Sequence, residues 1–520
     1  MEKKLRIKPY ILAILSVLLI TSFGCKDEFF DNNPADKITP DQHYQSINDI
    51  FVSTQGAFIP LQDIMPKLIV LDGLRSDMME VTPNAETYLK AINDQILMSN
   101  NPFTDASDLY KVIINVNEVL LNIDRVAEKD KDYDELVAYQ LKGALIGLRA
   151  YAYLYLVRLY NKADYFEDNL VAIPAPNSRN ILTKQAVIEK LIAQLEKYFE
   201  SPFTSTKYPE IKLAHYPNNK ALLGELYLEV GRYSDAATYL KLACESYGNN
   251  ASVLKVDKSY KDNAWGAIFL NAESQGVENI SVVPYSRSEA QFNPFASWFN
   301  VNNEYMVRPS TILIDSFMSQ VTLAGDTMDI YRGFFTFGAM GVELNPDSTY
   351  RFVDTFIRKY AVDVNDPQSS DIVLSRAADI HLMLAESYNQ MGDETSQKYA
   401  LMLLNQGVNS TNPKPAPFTR WSGNLGIRGR AYLKSREFPE RDSIPLDIRT
   451  NLIEDQIIAE RAMELAFEGK RWFDLVRVAE RRNDPAYLAD RVAAKFAGTS
   501  QYDAIRNKLM NPANWYLPFE

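Results

Sequence analysis

The sequence predicts a protein that is all-α in the main. Stacked helical hairpins form an α/α superhelix, interrupted by a loop-rich insertion with short helices and strands. Three observations predict it. Apolar residues recur at spacings of three and four over long stretches. One stretch alternates small and large residues as a helical repeat requires. Between about 250 and 360 that period fades, and Gly, Pro, Asn, Ser and aromatic residues rise. At about 150 residues per domain, the 520 residues would make three or four units. The repeats argue instead for a single body over 42–520. Its helices fall at roughly 105–160, 184–245, 371–405 and 451–480, and its insertion at roughly 250–360.

Residues 1–24 read as a signal peptide. Lys3, Lys4, Arg6 and Lys8 form a basic start, and Tyr10 to Ile20 is an apolar run with only Ser16 inside it. That run is too short to span a bilayer, which takes roughly 20 residues. It suits the apolar region of an export signal. It ends Ser22-Phe23-Gly24-Cys25, which resembles a bacterial lipobox, although Ser22 stands where Leu is usual and Phe23 is bulky. The expectation is that Cys25 carries lipid and begins the mature chain, with the polar stretch 25–41 as its tether. Lys26-Asp27-Glu28 resembles the surface-export signal of Bacteroides-type lipoproteins. Acyl chains contribute about 0.8 kcal/mol per buried CH₂, so two or more anchor a protein without a membrane-spanning helix.

Beyond the tether, Leu141, Leu145, Leu148, Ala152, Tyr155 and Leu159 make one apolar stripe. Ile146, Ala150, Tyr153, Val157 and Tyr160 make a second. A helix with two stripes is packed on both sides. Asn219 to Glu245 carries Leu223-Gly224, Tyr227, Gly231, Tyr233, Ala236, Leu240 and Ala243, which resembles the tetratricopeptide pattern. Gly224 and Ala236 let two helices approach, Leu240 and Tyr227 fill the groove, and Gly231 allows the turn. Ala377 to Asn405 is a degraded copy: Leu384-Ala385, Tyr388 and Gly392 keep the spacing, while Gln397 replaces a small residue. In the insertion, Asn279–Pro284 and Tyr350–Phe356 read as short strands.

The composition excludes several functions. The net charge is −12, which argues against nucleic acid as a partner. Two cysteines, Cys25 and Cys244, and three histidines, His43, His215 and His381, exclude a disulfide scaffold and multi-His metal sites. No metal or cofactor is expected. His215 and His381 sit beside apolar helices and read as core or surface residues. Glu464 and Glu468, four residues apart, could suggest a glycosidase pair. Those carboxylates must face each other across a substrate, and adjacent turns of one helix offer no such cleft. An ion-pair network is expected there, with Lys470–Asp474 and Asp474–Arg477 at helical spacing.

Several segments in order resemble the SusD/RagB family of outer-membrane nutrient-binding lipoproteins. They are Leu148 to Tyr160; Asn219 to Glu245; Arg308-Pro309-Ser310 with Leu313, Phe317, Asp329 and Arg332; Arg358-Lys359-Tyr360; Ala378 to Gly392; and Glu460 to Leu475. The Asp329–Arg332 spacing departs from the family by one extra residue. The resemblance implies a non-catalytic lipoprotein, anchored in the outer membrane and facing the cell exterior. Such a protein binds an oligosaccharide or polysaccharide and delivers it to a SusC-like TonB-dependent β-barrel transporter. A peptide-binding, RagB-like member is the alternative, and a helical glycoside hydrolase a more distant one.

Sugars pack their C–H faces on aromatic rings while amides and charged groups take the hydroxyls. The segment Pro284 to Arg308 has that composition. From it, Tyr285, Arg287, Phe292, Trp298, Asn300 and Tyr305 are the candidate ligand-binding residues. The resemblance adds Arg75 and Asp77, because the family's loop equivalent to Leu71–Glu80 faces the ligand. Trp265 and Trp421 are further possibilities.

Overall fold

The computed structural model describes residues 39–131, 133–168, 179–200, 215–246, 253–262, 264–270, 272, 278–344, 350–360 and 370–519. The expected signal peptide, Cys25 and nearly all of the tether lie outside the described residues. No described helix is long and apolar enough to cross a membrane.

The frame begins with the helix Ile47–Arg75. Asp49 accepts from the Ser46 backbone N–H at 2.7 Å and so closes its first turn. The helix continues through Pro60 and Pro66 and buries one flank against Ser107–Ala127. Packing therefore overrides two helix-breaking residues. Glu135–Tyr160 follows, capped by Asp134, whose carboxylate accepts from the Leu136 and Val137 N–H groups at 3.0 and 3.1 Å. From Ala144 to Tyr160 every residue is buried, because Ser107–Ala127 covers one side and Lys184–Leu195 another.

The repeat at 219–245 is a helical hairpin, Asn219–Glu229 and Tyr233–Glu245. A Cβ on Gly224 would stand 2.4 Å from Leu240 Cγ, so only glycine permits this approach. Gly231 turns the chain at φ +75°. Its neighbour is the hairpin Ala377–Met391 and Glu394–Leu404. Gln397, the departure from the repeat pattern, is buried and donates to Thr450 Oγ1 at 3.0 Å. A hydrogen bond to the next helix replaces close packing there. Leu446–Glu464 and Arg471–Arg482 complete the frame. Two further helices, Pro485–Ala493 and Tyr502–Leu509, extend it beyond the expected helical ranges.

Short antiparallel pairs stitch the insertion to this frame. Asn279–Val283 pairs with Ile372–Arg376, which leads into Ala377–Met391. Met79–Val81, just past the first helix, pairs with Val307–Pro309. Phe337–Leu344 and Tyr350–Ile357 form a hairpin. The segment 71–80, expected as a loop, is thus the end of a helix followed by a strand.

Candidate functional site

The pairing of Met79–Val81 with Val307–Pro309 decides which loops meet. It lays the segment 82–104 beside the segment 295–305. The Thr82 N–H donates to the Met306 carbonyl at 3.0 Å, its hydroxyl bonds the Tyr305 carbonyl, and Asn84 Nδ2 donates to the Glu304 carbonyl at 3.3 Å. Asn101 Nδ2 donates to the Tyr88 carbonyl at 3.1 Å, and its Oδ1 accepts from the Phe103 N–H at 3.0 Å. The Tyr160 hydroxyl donates to the Thr104 carbonyl at 2.7 Å and ties this loop to the long helix behind it.

On this base Trp298 is half-buried. Its ring lies 5.7 Å from that of Phe103 at 53°, and 6.3 Å from Phe295. Phe295 stacks in turn on Phe299 at 4.5 Å and touches Tyr360 at 4.7 Å, so the indole rests on a buried aromatic foundation. Tyr305 holds a left-handed φ of 46°, pinned by its hydroxyl donating to the Thr355 carbonyl at 2.7 Å and its N–H to the Ser297 carbonyl at 3.1 Å. Strain of this kind persists only where surroundings over-determine it. Asn300, half-buried, accepts from the Asn302 N–H at 2.9 Å. Asn84, Asn100, Asn302 and Glu304 are exposed around this centre. Half-buried rings ringed by outward amides can take a face with C–H groups and hydroxyls.

Three expected ligand residues are structural instead. Arg75 is fully buried, donates to the Trp515 and Asn514 carbonyls at 3.0 and 2.9 Å, and lies 4.0 Å over the Trp472 ring. Burial pushes its guanidinium down to about 9. Asp77 is buried in a two-pronged pair with Arg471, both contacts 2.7 Å. Tyr285 is buried with its hydroxyl donating to the Gln62 carbonyl at 2.7 Å. Trp265 is fully buried, and so is Trp421, whose indole donates to Glu245 at 2.8 Å.

The other candidates fall into two groups. Trp298, Asn300 and Tyr305 share the rim just described. Arg287, on an exposed turn, and Phe292, 52% exposed, lie by the middle of the first helix, where Gln62 reaches the Pro284 carbonyl at 2.7 Å and Gln291 at 3.4 Å. At 1.5 Å per residue the helix places Gln62 about 20 Å from Arg75, the end near the rim. The contribution of 82–104 was missed. Its turn residues Pro83-Asn84 and Asn100-Asn101-Pro102, next to Phe103, carry the same amide-and-aromatic composition that marked 284–308.

The Glu464–Glu468 motif lies at the centre of a buried ionic cluster. Glu464 meets Arg376 at 2.9 Å and Arg332 at 2.7 Å; Glu468 meets Arg376 at 3.0 Å and Lys359 at 2.5 Å. Burial opposes ionisation of Glu464, yet Arg376 and Arg332 outweigh it and hold the carboxyl at about 2. An acid held that low, with no exposed surface, is no proton donor to a substrate. Asp474 pairs with Arg477 at 2.7 Å as expected. The expected Lys470–Asp474 pair is absent: Lys470 turns to Asp379 at 3.4 Å, and Arg461 takes Asp474 at 2.8 Å. His381 is a core residue, with Nδ1 to the Ala377 carbonyl at 2.7 Å and Nε2 to Asn424 at 3.1 Å. No described group of His, Cys, Asp or Glu could hold a metal ion.

Residues 324–519, which include this ionic cluster's helices, match the model of the SusD family. The C-terminal part of the chain is thus similar to the SusD family. SusD-like protein P2 of Formosa agariphila is 20% identical over 91% of each chain, and SusD-like protein P38 of the same organism is 22% identical over 92% of each. Among solved structures, a SusD superfamily protein from Bacteroides vulgatus superposes with a TM-score of 0.65 at 15% identity, covering 89% of this chain and 93% of that one. A laminarin-binding SusD-like protein gives 0.59 at 17%, covering 87% and 95%. The fold of these structures therefore extends over most of this chain.

Proposed function

We propose that this chain is a SusD-like, non-catalytic glycan-binding lipoprotein. It holds an oligosaccharide or polysaccharide on the rim formed by 82–104 and 295–305 and passes it to a SusC-like TonB-dependent β-barrel transporter. The observation that carries the reading is Trp298: a half-buried indole braced by Phe103 and Phe295 and surrounded by exposed amides. Aromatic platforms of this kind contribute contact area at little conformational cost. Cys25 is the proposed lipid attachment site and places the protein at the outer membrane, facing outward. The carboxylates of the ionic cluster are consumed by buried cations, which supports binding without turnover.

Native affinity electrophoresis against a polysaccharide panel, with laminarin among the first, tests the reading. Retardation by a glycan without its breakdown is expected. Cleavage of the bound glycan would refute the non-catalytic role, and binding of peptides with no glycan retained would refute the ligand class. Metabolic labelling with a palmitate analogue tests Cys25: label incorporated by the wild type and lost in Cys25→Ala is expected.

A further inference from the structure

A second concavity lies away from the aromatic rim. It is a cleft of about 630 Å³ between the segment 434–439 and the helix Leu446–Glu464, within the roughly 300–1,000 Å³ usual for small-ligand sites. Leu323, Lys434, Arg436, Phe438, Leu452 and Gln456 line it. Its floor is fixed. The Lys434 N–H donates to the Val321 carbonyl at 2.9 Å, and Asn405 clasps the Arg436 backbone from both sides, accepting from its N–H at 2.8 Å and donating to its carbonyl at 3.1 Å.

The charges in the cleft are out of balance. Arg436 is half-buried and reaches Gln320 Oε1 at 3.0 Å, an oxygen it shares with Arg428 at 3.1 Å. Arg428 has its own carboxylate, Glu460, at 2.6 Å; Arg436 forms no ion pair among the described residues. Burial and the neighbouring Arg428 push the Arg436 guanidinium down. Lys434 is exposed and has no side-chain partner among the described residues. The acid of the lining, Glu437, is exposed and bridges neither cation. Every other buried guanidinium discussed above meets a carboxylate, a carbonyl pair or an aromatic face. The walls around these two cations carry Leu323, 46% exposed, Leu452, 40% exposed, and the partly buried ring of Phe438. Gln456 is half-buried and its amide makes no hydrogen bond among the described residues.

We propose that this cleft is a second binding site, for an anionic saccharide. Its carboxylate or sulfate sits between Lys434 and Arg436, its ring lies on Phe438 and the leucines, and the Gln456 amide takes a hydroxyl. Guanidinium and ammonium groups suit both oxyanions, and the apolar wall suits a C–H face rather than a bare inorganic ion.

Saturation-transfer NMR and equilibrium dialysis of the full chain with D-glucuronate, galactose 6-sulfate, galactose and 3-phenylpropionate test it. Glucuronate or the sulfated sugar is expected to bind at least about tenfold more tightly than galactose, the size of one charge-assisted hydrogen bond. Lys434→Gln, on the surface, should weaken that binding several-fold, and Lys434→Gln with Arg436→Gln should abolish it. Trp298→Ala should leave it unchanged, so this site and the rim can fail separately. The proposal is overturned if neither anionic sugar binds, or if galactose binds as well. It is equally overturned if 3-phenylpropionate competes equally, or if Lys434→Gln binds like the wild type.

Discussion

Two polar regions of this molecule can be set side by side: the ionic cluster around Glu464 and the rim around Trp298. Both are dense in groups that sequence inspection associates with chemistry. In the cluster each carboxylate meets cations within hydrogen-bond distance and almost no water-facing surface is left. In the rim, rings are half-buried and amides point outward. A charged residue whose partners are all internal is part of the frame; a polar residue braced from behind and open in front is available to a ligand. The comparison yields predictions that differ in kind for the two regions.

The largest effect belongs to the cluster. Glu464→Gln leaves Arg376 and Arg332 buried with one anion fewer, and breaking such a pair costs about 3–5 kcal/mol. Urea unfolding should show that loss with glycan binding retained in whatever protein folds. A loss below about 1 kcal/mol would mean that the cluster does not hold the helices together. Gly224→Val is next. Its side chain collides with Leu240, and overpacking of this kind costs about 1–3 kcal/mol. Shortening the opposing residue in Gly224→Val with Leu240→Ala should recover part of the melting temperature.

The rim predicts the reverse pattern. Trp298→Ala should lower glycan affinity about tenfold or more, equivalent to about 1.4 kcal/mol, while the unfolding midpoint moves little. Isothermal titration beside thermal unfolding separates the two. Phe292→Ala, on the distant exposed turn, should leave affinity near the wild type. Equal losses in both variants would merge the two groups that the first helix separates.

How far the sequence revealed each region follows from the range of the interactions. The hairpin at 219–245 was legible because Gly224, Gly231 and Leu240 act within one local unit. The cluster was legible only as a helix with acids four apart, since Glu464 finds its partners at Arg332 and Arg376, far along the chain. Lys470 shows the cost of local reasoning: Asp474 lies at the right helical spacing, but Asp379, from another helix, takes the lysine. Arg75 and Asp77 failed as ligand residues for the same reason, because Asn514, Trp515 and Arg471 come from the far C-terminal segment. Half of the rim, 295–305, stood out by its composition. The other half, 82–104, needed the pairing of Met79–Val81 with Val307–Pro309 to bring it into view.

The smallest prediction concerns two buried titratable groups in the frame, Asp72 and His381. Burial raises the Asp72 carboxyl to about 7, although it accepts from the Trp472 N–H at 2.7 Å. Burial lowers the His381 imidazole to about 3. Between pH 5 and 6.5 the folded chain keeps a proton on Asp72 that the unfolded chain has released, so this group makes stability fall as pH rises. His381 does the opposite: the unfolded chain gains a proton there that the folded chain refuses, so stability rises with pH. Each slope approaches about 1.4 kcal/mol per pH unit and the two oppose each other. In urea unfolding of the wild type these two contributions should therefore largely cancel from pH 5 to 6.5. Asp72→Asn, which keeps the acceptor for Trp472, should tilt the curve upward with pH, and His381→Gln should tilt it downward. The depressed carboxyls, whose unfolded-state values lie at about 4.3, add an upward slope near pH 5 that is common to the wild type and both variants, so variant curves parallel to that of the wild type would show that neither group is buried in the protonation state its surroundings impose.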